Sequence, residues 1–245
     1  MSNVDRVALV TGASRGIGAD IAMRLARDGL AVVVNFASGR DAAEKVVKQI
    51  EHGGGRAICV AGDVSDTAAV QAMFGTAEAH FGGLDVVVNN AGIMRLAPMG
   101  EMDDSAFDQM VAINLRGTFN VLREASKRLR PGGRIINTSS SVTKLLQPNY
   151  GPYAATKAAV EALTVVLARE LRGRAITVNA IAPGPTATEL FLKGKSPELV
   201  ANIAKLAPLE RLGEPNDISS VVSCLVGPNG AWINGQTIFV NGGVI

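Results

Sequence analysis

Tyr153 and Lys157 stand four residues apart in the stretch "NYGPYAATKAAV" (149–160), which also holds the chain's only other tyrosine, Tyr150. On a helix, that spacing puts both side chains on one face, one turn apart. A free phenol has a pKa of ~10 and is a poor proton shuttle at neutral pH. Bringing it near neutrality takes about 4 kcal/mol of preference for the phenolate. An ammonium group ~4 Å away, at an effective dielectric of ~20, supplies about that much. Lys157 is therefore expected to lower the pKa of Tyr153, provided that it stays charged and close. Tyr150 has Ala154 in the corresponding place and no such partner. Ser140 lies thirteen residues before Tyr153, just past a strand-like run, where a hydroxyl can reach a helix across the same crevice. Taken alone, Tyr-x-x-x-Lys is a common spacing, and a buried tyrosine followed by a surface lysine is the reading that spacing by itself favours.

A second chemical signal is the stretch Thr11-Gly12-Ala13-Ser14-Arg15-Gly16-Ile17-Gly18, between an apolar run and an amphipathic one. Glycine permits a sharp turn and a close approach of backbone to a pyrophosphate, which the free N–H groups of a helix N-terminus then meet. The spacing, G-x-x-x-G-x-G, departs from the usual dinucleotide fingerprint G-x-G-x-x-G. A tight strand–helix turn without a ligand is the plain alternative. No G-K-[ST] follows, which disfavours a nucleoside-triphosphate loop. At the end of the second strand a carboxylate would accept from a ribose 2′-OH and repel a 2′-phosphate. Here that position holds Asn35, followed by Phe36-Ala37-Ser38-Gly39-Arg40, and the first acid is Asp41. Arg15, Ser38 and Arg40 suit a phosphate, which points to NADP(H); solvated surface arginines are the alternative.

These residues need elements to position them, and the chain supplies an alternation. Strands are expected at 6–11, 31–35, 56–61, 84–89, 133–139, 175–182 and 236–240. Helices are expected near 16–28, 40–52, 67–81, 104–130, 152–172 and 214–226. Gly29 sits where a left-handed cap should end the first helix, and Pro131-Gly132-Gly133 is expected to break the chain after the fourth. Near-continuous apolar strands imply burial on both faces, and strand–helix alternation implies parallel, right-handed crossovers. The fold class is therefore α/β: one Rossmann-type, doubly wound parallel sheet of about seven strands with helices on both sides, forming a single domain over 1–245. The segment 186–212 lacks a strand pattern and reads as a lid above the sheet's C-terminal edge, where such folds bind ligands.

The bulk numbers set outer limits. Of 245 residues, 47% are hydrophobic, which is globular rather than disordered. A formal net charge of +2 gives no case for nucleic acid. Cys59 and Cys224 lie among apolar neighbours and are expected to be buried free thiols of a reducing compartment. The start "MSNVDRVALVTG" lacks the features of a secretion signal, and no apolar run approaches the ~20 residues that span a bilayer. A cytoplasmic protein without a membrane partner is expected. His52 and His80 fall near helix ends and are expected to be solvated; no metal is expected.

In combination these motifs carry a resemblance. Over nearly its full length the chain resembles the short-chain dehydrogenase/reductase family. The matching features are the 11–18 glycine turn, Asp63-Val64, Asn89-Asn90-Ala91-Gly92, Asn114, Ser140, Tyr153-x-x-x-Lys157 and Pro183-Gly184. The resemblance implies a single-domain oxidoreductase. Tyr153 would be the general acid in carbonyl reduction and the base in alcohol oxidation. Lys157 would hold the nicotinamide ribose, Ser140 would polarise the carbonyl, and Asn114 would hold a water behind Lys157. Gly12, Ser14, Arg15, Gly16, Ile17 and Gly18 would line the pyrophosphate and adenosine end. Asn35, Ser38 and Arg40 would meet the adenosine ribose side, with Asp63 and Val64 at the adenine. Asn90, Ala91 and Gly92 would border the ribose, and Pro183, Gly184 and Thr188 the nicotinamide. A homotetramer is implied as well. Asn241 stands where many relatives carry aspartate.

The function expected is NADPH-dependent reduction of a ketone or aldehyde. Met94, Leu145, Leu146, Tyr150, Leu190 and Phe191 make the expected pocket apolar; Tyr150 could instead pack the loop. A 3-oxoacyl-ACP reductase is the alternative. An acidic acyl carrier protein would need arginines at the site's mouth, and "KRLRPGGR" (127–134) and "RELRGR" (169–174) are the candidates. A polyol or sugar dehydrogenase fits the apolar pocket less well. A non-catalytic NADPH-binding regulator is the reading from another class, and it would be expected to lose part of the Asn114, Ser140, Tyr153, Lys157 set.

Overall fold

The computed structural model describes residues 6–245; the polar lead at 1–5 lies outside the described residues. Seven parallel strands form one sheet in the order β3-β2-β1-β4-β5-β6-β7. Along the chain these are β1 Val7–Val10, α1 Gly16–Arg27, β2 Ala31–Phe36, α2 Arg40–His52, β3 Ala57–Ala61, α3 Thr67–Phe81 and β4 Leu84–Asn89. Next come α4 Asp104–Met110, α5 Thr118–Arg128, β5 Leu129–Thr138, α6 Val142–Leu145, α7 Gly151–Glu170 and β6 Thr177–Pro183. The chain closes with α8 Glu189–Leu192, α9 Pro197–Ala204, α10 Pro215–Val226 and β7 Thr237–Val240.

The reason for unbroken apolar strands is visible in the two cores. Side chains alternate across a strand. Ala8, Val10, Val32, Val34, Val86 and Val88 enter one core, with residues of α1, α2 and α10. Val7, Leu9, Ala31, Val33, Val87 and Ile135 enter the other, with residues of α3, α5 and α7. Both faces are covered, so neither alternate set can be polar.

Local signals fix several boundaries. α1 ends in the expected left-handed glycine, Gly29, at φ +91. Leu30 N–H donates to Leu25 O and Gly29 N–H to Ala26 O, each at 3.0 Å, which is the Schellman pattern. Asp66 caps α3 by accepting from Ala68 N–H at 2.8 Å, and Gly82 closes it at φ +80.

Two expectations are corrected. The helix expected over 104–130 is interrupted by a wider π-helical segment, Val111–Gly117, and stops at Arg128. The chain is already extended at Leu129, before Pro131-Gly132-Gly133, so that triplet does not end the helix. It bulges instead: pairing runs from Leu84↔Leu129 to Val86↔Arg134, two residues along β4 and five along β5. The second correction is Cys224. It is exposed, because α10 turns Ile218, Ser219, Val222, Leu225 and Val226 inward and Cys224 falls outside that stripe. Cys59 is partly buried, and both thiols are free. His52 and His80 are exposed, as expected. Among the described residues, no helix is long and apolar enough to cross a membrane.

Candidate active site

Strand order reverses between β1 and β4, and ligands of open α/β sheets bind in the crevice beyond that point. The glycine turn sits there. Gly12 has φ +61, and a Cβ on it would come within 2.9 Å of Ala91 Cα, so the turn and the end of β4 touch backbone to backbone. Gly18 is more confined: a Cβ would lie 2.4 Å from Asn90 Nδ2 and 2.5 Å from Gly12 O. Asn90 Nδ2 donates to Thr11 O at 3.0 Å and Gly12 O at 3.2 Å. Thr11 Oγ1 accepts from the Asn90 and Ala91 N–H groups, both at 3.0 Å.

This turn fits a phosphate-bearing cofactor. Arg15 precedes α1 in extended backbone, no side chain caps the helix, and its first turn carries no acid. Its N–H groups and partial positive charge are therefore free of internal competition. Arg15 is exposed and pairs with Glu189 of α8 at 3.4 Å. Arg40 is exposed at the start of α2, 5.7 Å from the Phe36 ring centre and 3.6 Å from Glu44. Ser38 is exposed in the same loop. Thr188 crosses near Gly16: a Cβ there would meet Thr188 Cγ2 at 3.5 Å.

Asn35, expected among the cofactor contacts, is a strut instead. It is 1% exposed. Its Oδ1 accepts from Gly12 N–H at 3.2 Å, and its Nδ2 donates to Val60 O at 3.2 Å and Gly62 O at 3.0 Å. The amide is spent on holding the turn against β3. Asp63 is exposed and accepts from Ser65 N–H and Oγ at 2.8 Å, while Val64 is buried.

Along the crevice, β5 ends at Thr138 and releases Ser140, while α7 carries Tyr153 and Lys157. The Ser140 hydroxyl is near enough to the Tyr153 phenol to lower its pKa. Lys157 is 4% exposed; its Nζ donates to Thr138 O at 2.8 Å and lies 5.8 Å from the centre of the Tyr153 ring. The Tyr153 phenol is pushed up to about 12, chiefly by burial and further by Tyr150, against a downward pull from the Ser140 hydroxyl. Burial pushes Lys157 down to about 8. The expected direction for Tyr153 is thus reversed. The ammonium points to a backbone carbonyl, is itself desolvated, and does not offset the cost of burying a phenolate.

Asn114 lies within the π-helical segment and is fully buried. Its Oδ1 accepts from Ile93 N–H at 2.8 Å, and its Nδ2 donates to Ile93 O at 2.9 Å. Its carbonyl accepts from Thr118 Oγ1 at 2.7 Å. Gly92 joins it to Lys157: a Cβ on Gly92 would lie 3.3 Å from Asn114 Oδ1 and 3.5 Å from Lys157 Nζ. Pro183 is buried at the end of β6, and Gly184 packs so closely that a Cβ would meet Asn241 Cα at 2.8 Å. Asn241 Nδ2 donates to Ser141 Oγ at 3.2 Å, a link between residues a hundred positions apart that no motif signals.

The expected pocket divides. Tyr150 and Leu146 line a groove of about 300 Å³ with Thr143, Gln147, Gly151, Ala154, Ala155 and Ala158. Those α7 residues lie roughly a third of a turn round the helix from Tyr153 and Lys157. Tyr150 still meets Tyr153 edge to face, ring centres 6.5 Å apart. Leu190 is exposed and Phe191 partly buried, both on α8. Glu161, two turns beyond Tyr153, was absent from the expected site and lies beside Ser140's turn, accepting from Ser139 Oγ at 2.6 Å.

Comparison with known proteins finds similarity over nearly the whole chain. The family model described as enoyl-(acyl carrier protein) reductase matches residues 12–245. A short-chain type dehydrogenase/reductase of Picea abies is 44% identical over 250 residues, 98% of this chain and 92% of that one. An NADPH-dependent aldehyde reductase-like protein, chloroplastic, of Arabidopsis thaliana is 44% identical over 254 residues, covering 98% and 94%. A solved short-chain dehydrogenase from Burkholderia cenocepacia, in complex with NADP, superposes with a TM-score of 0.93 at 36% identity, covering 99% of each chain.

Proposed function

From the premise that the chain belongs to the short-chain dehydrogenase/reductase family, we propose that it reduces a ketone or aldehyde carbonyl to an alcohol at Ser140, Tyr153, Lys157 and Asn114. It is an NADP-dependent oxidoreductase. The observation that carries the proposal is the packing of the turn bearing Ser140 against the Tyr153–Lys157 stretch of α7 at the C-terminal edge of the sheet, with Lys157 Nζ bonded to Thr138 O and 5.8 Å from the Tyr153 ring centre.

When bound, NADPH supplies the hydride. Gly12, Ser14, Arg15, Gly16, Ile17 and Gly18 would hold its pyrophosphate end, and Arg15, Ser38 and Arg40 its 2′-phosphate. Asp63 and Val64 would flank the adenine, Asn90, Ala91 and Gly92 the ribose, and Pro183, Gly184 and Thr188 the nicotinamide. This chain's own task is one proton. Ser140 and Tyr153 donate to the carbonyl oxygen, where negative charge develops, and Tyr153 then yields its proton. Lys157, with a water held at Asn114 behind it, passes a replacement proton to Tyr153; a Cβ on Gly92 would lie 3.5 Å from Lys157 Nζ and 3.3 Å from Asn114 Oδ1. The segment 186–212, carrying α8 and α9, closes over the substrate.

The substrate is an apolar carbonyl compound. Three of the arginines considered for an acyl carrier protein, Arg128, Arg130 and Arg174, are engaged away from Ser140. Arg130 pairs with Asp85 at 3.1 Å, Arg128 with Glu78 at 3.2 Å, and Arg174 donates to Ser126 O and Leu129 O. All sit where β5 begins, while Ser140 follows its other end. The test is NADPH consumption with small apolar ketones and aldehydes and with acetoacetyl-CoA, using Tyr153→Phe as control. Turnover by the native protein alone is expected. Equal turnover by the variant would overturn the proposed site.

A further inference from the structure

α7 presents Tyr153, Lys157 and Glu161 at intervals of four residues, one stripe along one face. The first two belong to the proposed chemistry and the third does not. Glu161 Oε1 accepts from Ser139 Oγ at 2.6 Å and from Thr143 Oγ1 at 2.9 Å. Those two hydroxyls bracket Ser140. Each hydroxyl has one hydrogen to give, and the other acceptors in reach are farther: Lys157 O is 3.3 Å from Ser139 Oγ and Ser140 O is 3.0 Å from Thr143 Oγ1. Backbone bonds to β6 hold the same turn from its other side: Ser139 N–H to Ile181 O at 2.7 Å and Ser141 N–H to Pro183 O at 2.9 Å.

The turn is thus fixed to β6 by its main chain and to α7 by one carboxylate oxygen. Ser139 is 2% exposed and Glu161 is partly buried. Hydroxyl bonds to a carboxylate in such a place are shorter and stronger than neutral ones. Tyr153 rides on the same helix as the clamp, so the clamp sets the distance between the two hydroxyls that meet at the substrate oxygen.

We propose that Glu161 is a positioning residue: through Ser139 and Thr143 it holds the 139–143 turn against α7 and so places Ser140 relative to Tyr153. This rests on the assignment of Ser140 and Tyr153 made above. Misplacement of a reacting group by an ångström costs up to about 100-fold in rate. Glu161→Ala should lower kcat about 10- to 100-fold, with KM for NADPH within about 2-fold of native. Glu161→Gln keeps an acceptor oxygen and should recover most of the loss.

A double-mutant cycle with Ser140→Ala separates this role from a purely structural one. If Glu161 acts through Ser140, then adding Glu161→Ala to Ser140→Ala lowers kcat by less than about 2-fold. Should Glu161→Ala fail to fold, the paired variant Ser139→Ala, Thr143→Val removes the same two bonds from the other side and enters the same cycle. Native turnover lost in Tyr153→Phe secures the underlying assignment first; its absence overturns both. With that turnover present, a Glu161 effect that multiplies with Ser140→Ala, or no kcat effect at all, overturns the role of Glu161 alone.

Discussion

Lys157 gives a hydrogen to the carbonyl oxygen of Thr138, 2.8 Å away, and through it the ammonium is tied to the last residue of β5. The tie fixes where the charge sits, and burial makes the charge costly.

That cost has a sign that can be measured. Lys157 falls from its ordinary 10.5 to about 8 in the folded chain. Between those values the unfolded state binds more protons, so stability is fully present above 10.5 and is lost as pH falls towards 8. The loss is at most about 3 kcal/mol. The Tm of the cofactor-free protein should drop between pH 10 and pH 8, and Lys157→Met should flatten that slope. An unchanged slope in the variant would remove Lys157 as its origin.

Tyr153→Phe keeps the ring and loses the proton. NADPH should bind with an unchanged Kd by fluorescence, while kcat for carbonyl reduction falls at least about 100-fold.

Two glycines should respond differently to alanine. At Gly18 the added methyl meets Asn90 Nδ2 and Gly12 O at about 2.5 Å. The turn must move, costing about 1–3 kcal/mol and weakening NADPH binding. At Gly29 nothing lies within 4 Å, and only the left-handed backbone resists, at about 1 kcal/mol. Thermal melts with and without NADPH separate the two: Gly29→Ala lowers Tm but leaves the cofactor-induced rise intact.

Arg15→Ala and Arg40→Ala should each weaken NADPH binding about 10-fold, equivalent to about 1.4 kcal/mol, and leave NADH nearly unchanged. Parallel titrations with the two cofactors check this. Equal weakening of both would place the arginines away from the 2′-phosphate.

How far the sequence foretold these features depended on the range of the interaction. α3 spans Thr67–Phe81, the range expected for it, because Asp66 and Gly82 act within one turn of its ends. The sheet followed from unbroken apolar strands. What escaped was set by contacts between distant elements. The Asn35 amide is consumed by Gly12, Val60 and Gly62, and nothing near residue 35 reports that. The direction of the Tyr153 shift turned on burial and on an ammonium aimed at Thr138, neither of which a four-residue spacing encodes. Cys224 was misplaced because apolar neighbours in sequence lie on different sides of a helix. Asn114 was found by resemblance, but the widened turn carrying it has no compositional mark.

That widened turn, Val111–Gly117, acts as a phase shifter. A π-helical turn accommodates about one residue more than an α-turn, so the helix beyond it is rotated against the helix before it. α5 can therefore send Val121, Leu122 and Ala125 into the core beneath the sheet while Asn114 turns to Ile93. Deleting one residue from 115–117 would shift Asn114 by one position, about 100° of helix, against the α5 stripe. The core would survive such a deletion far better than the site, since the apolar stripe of α5 lies after the turn and the polar anchor lies within it.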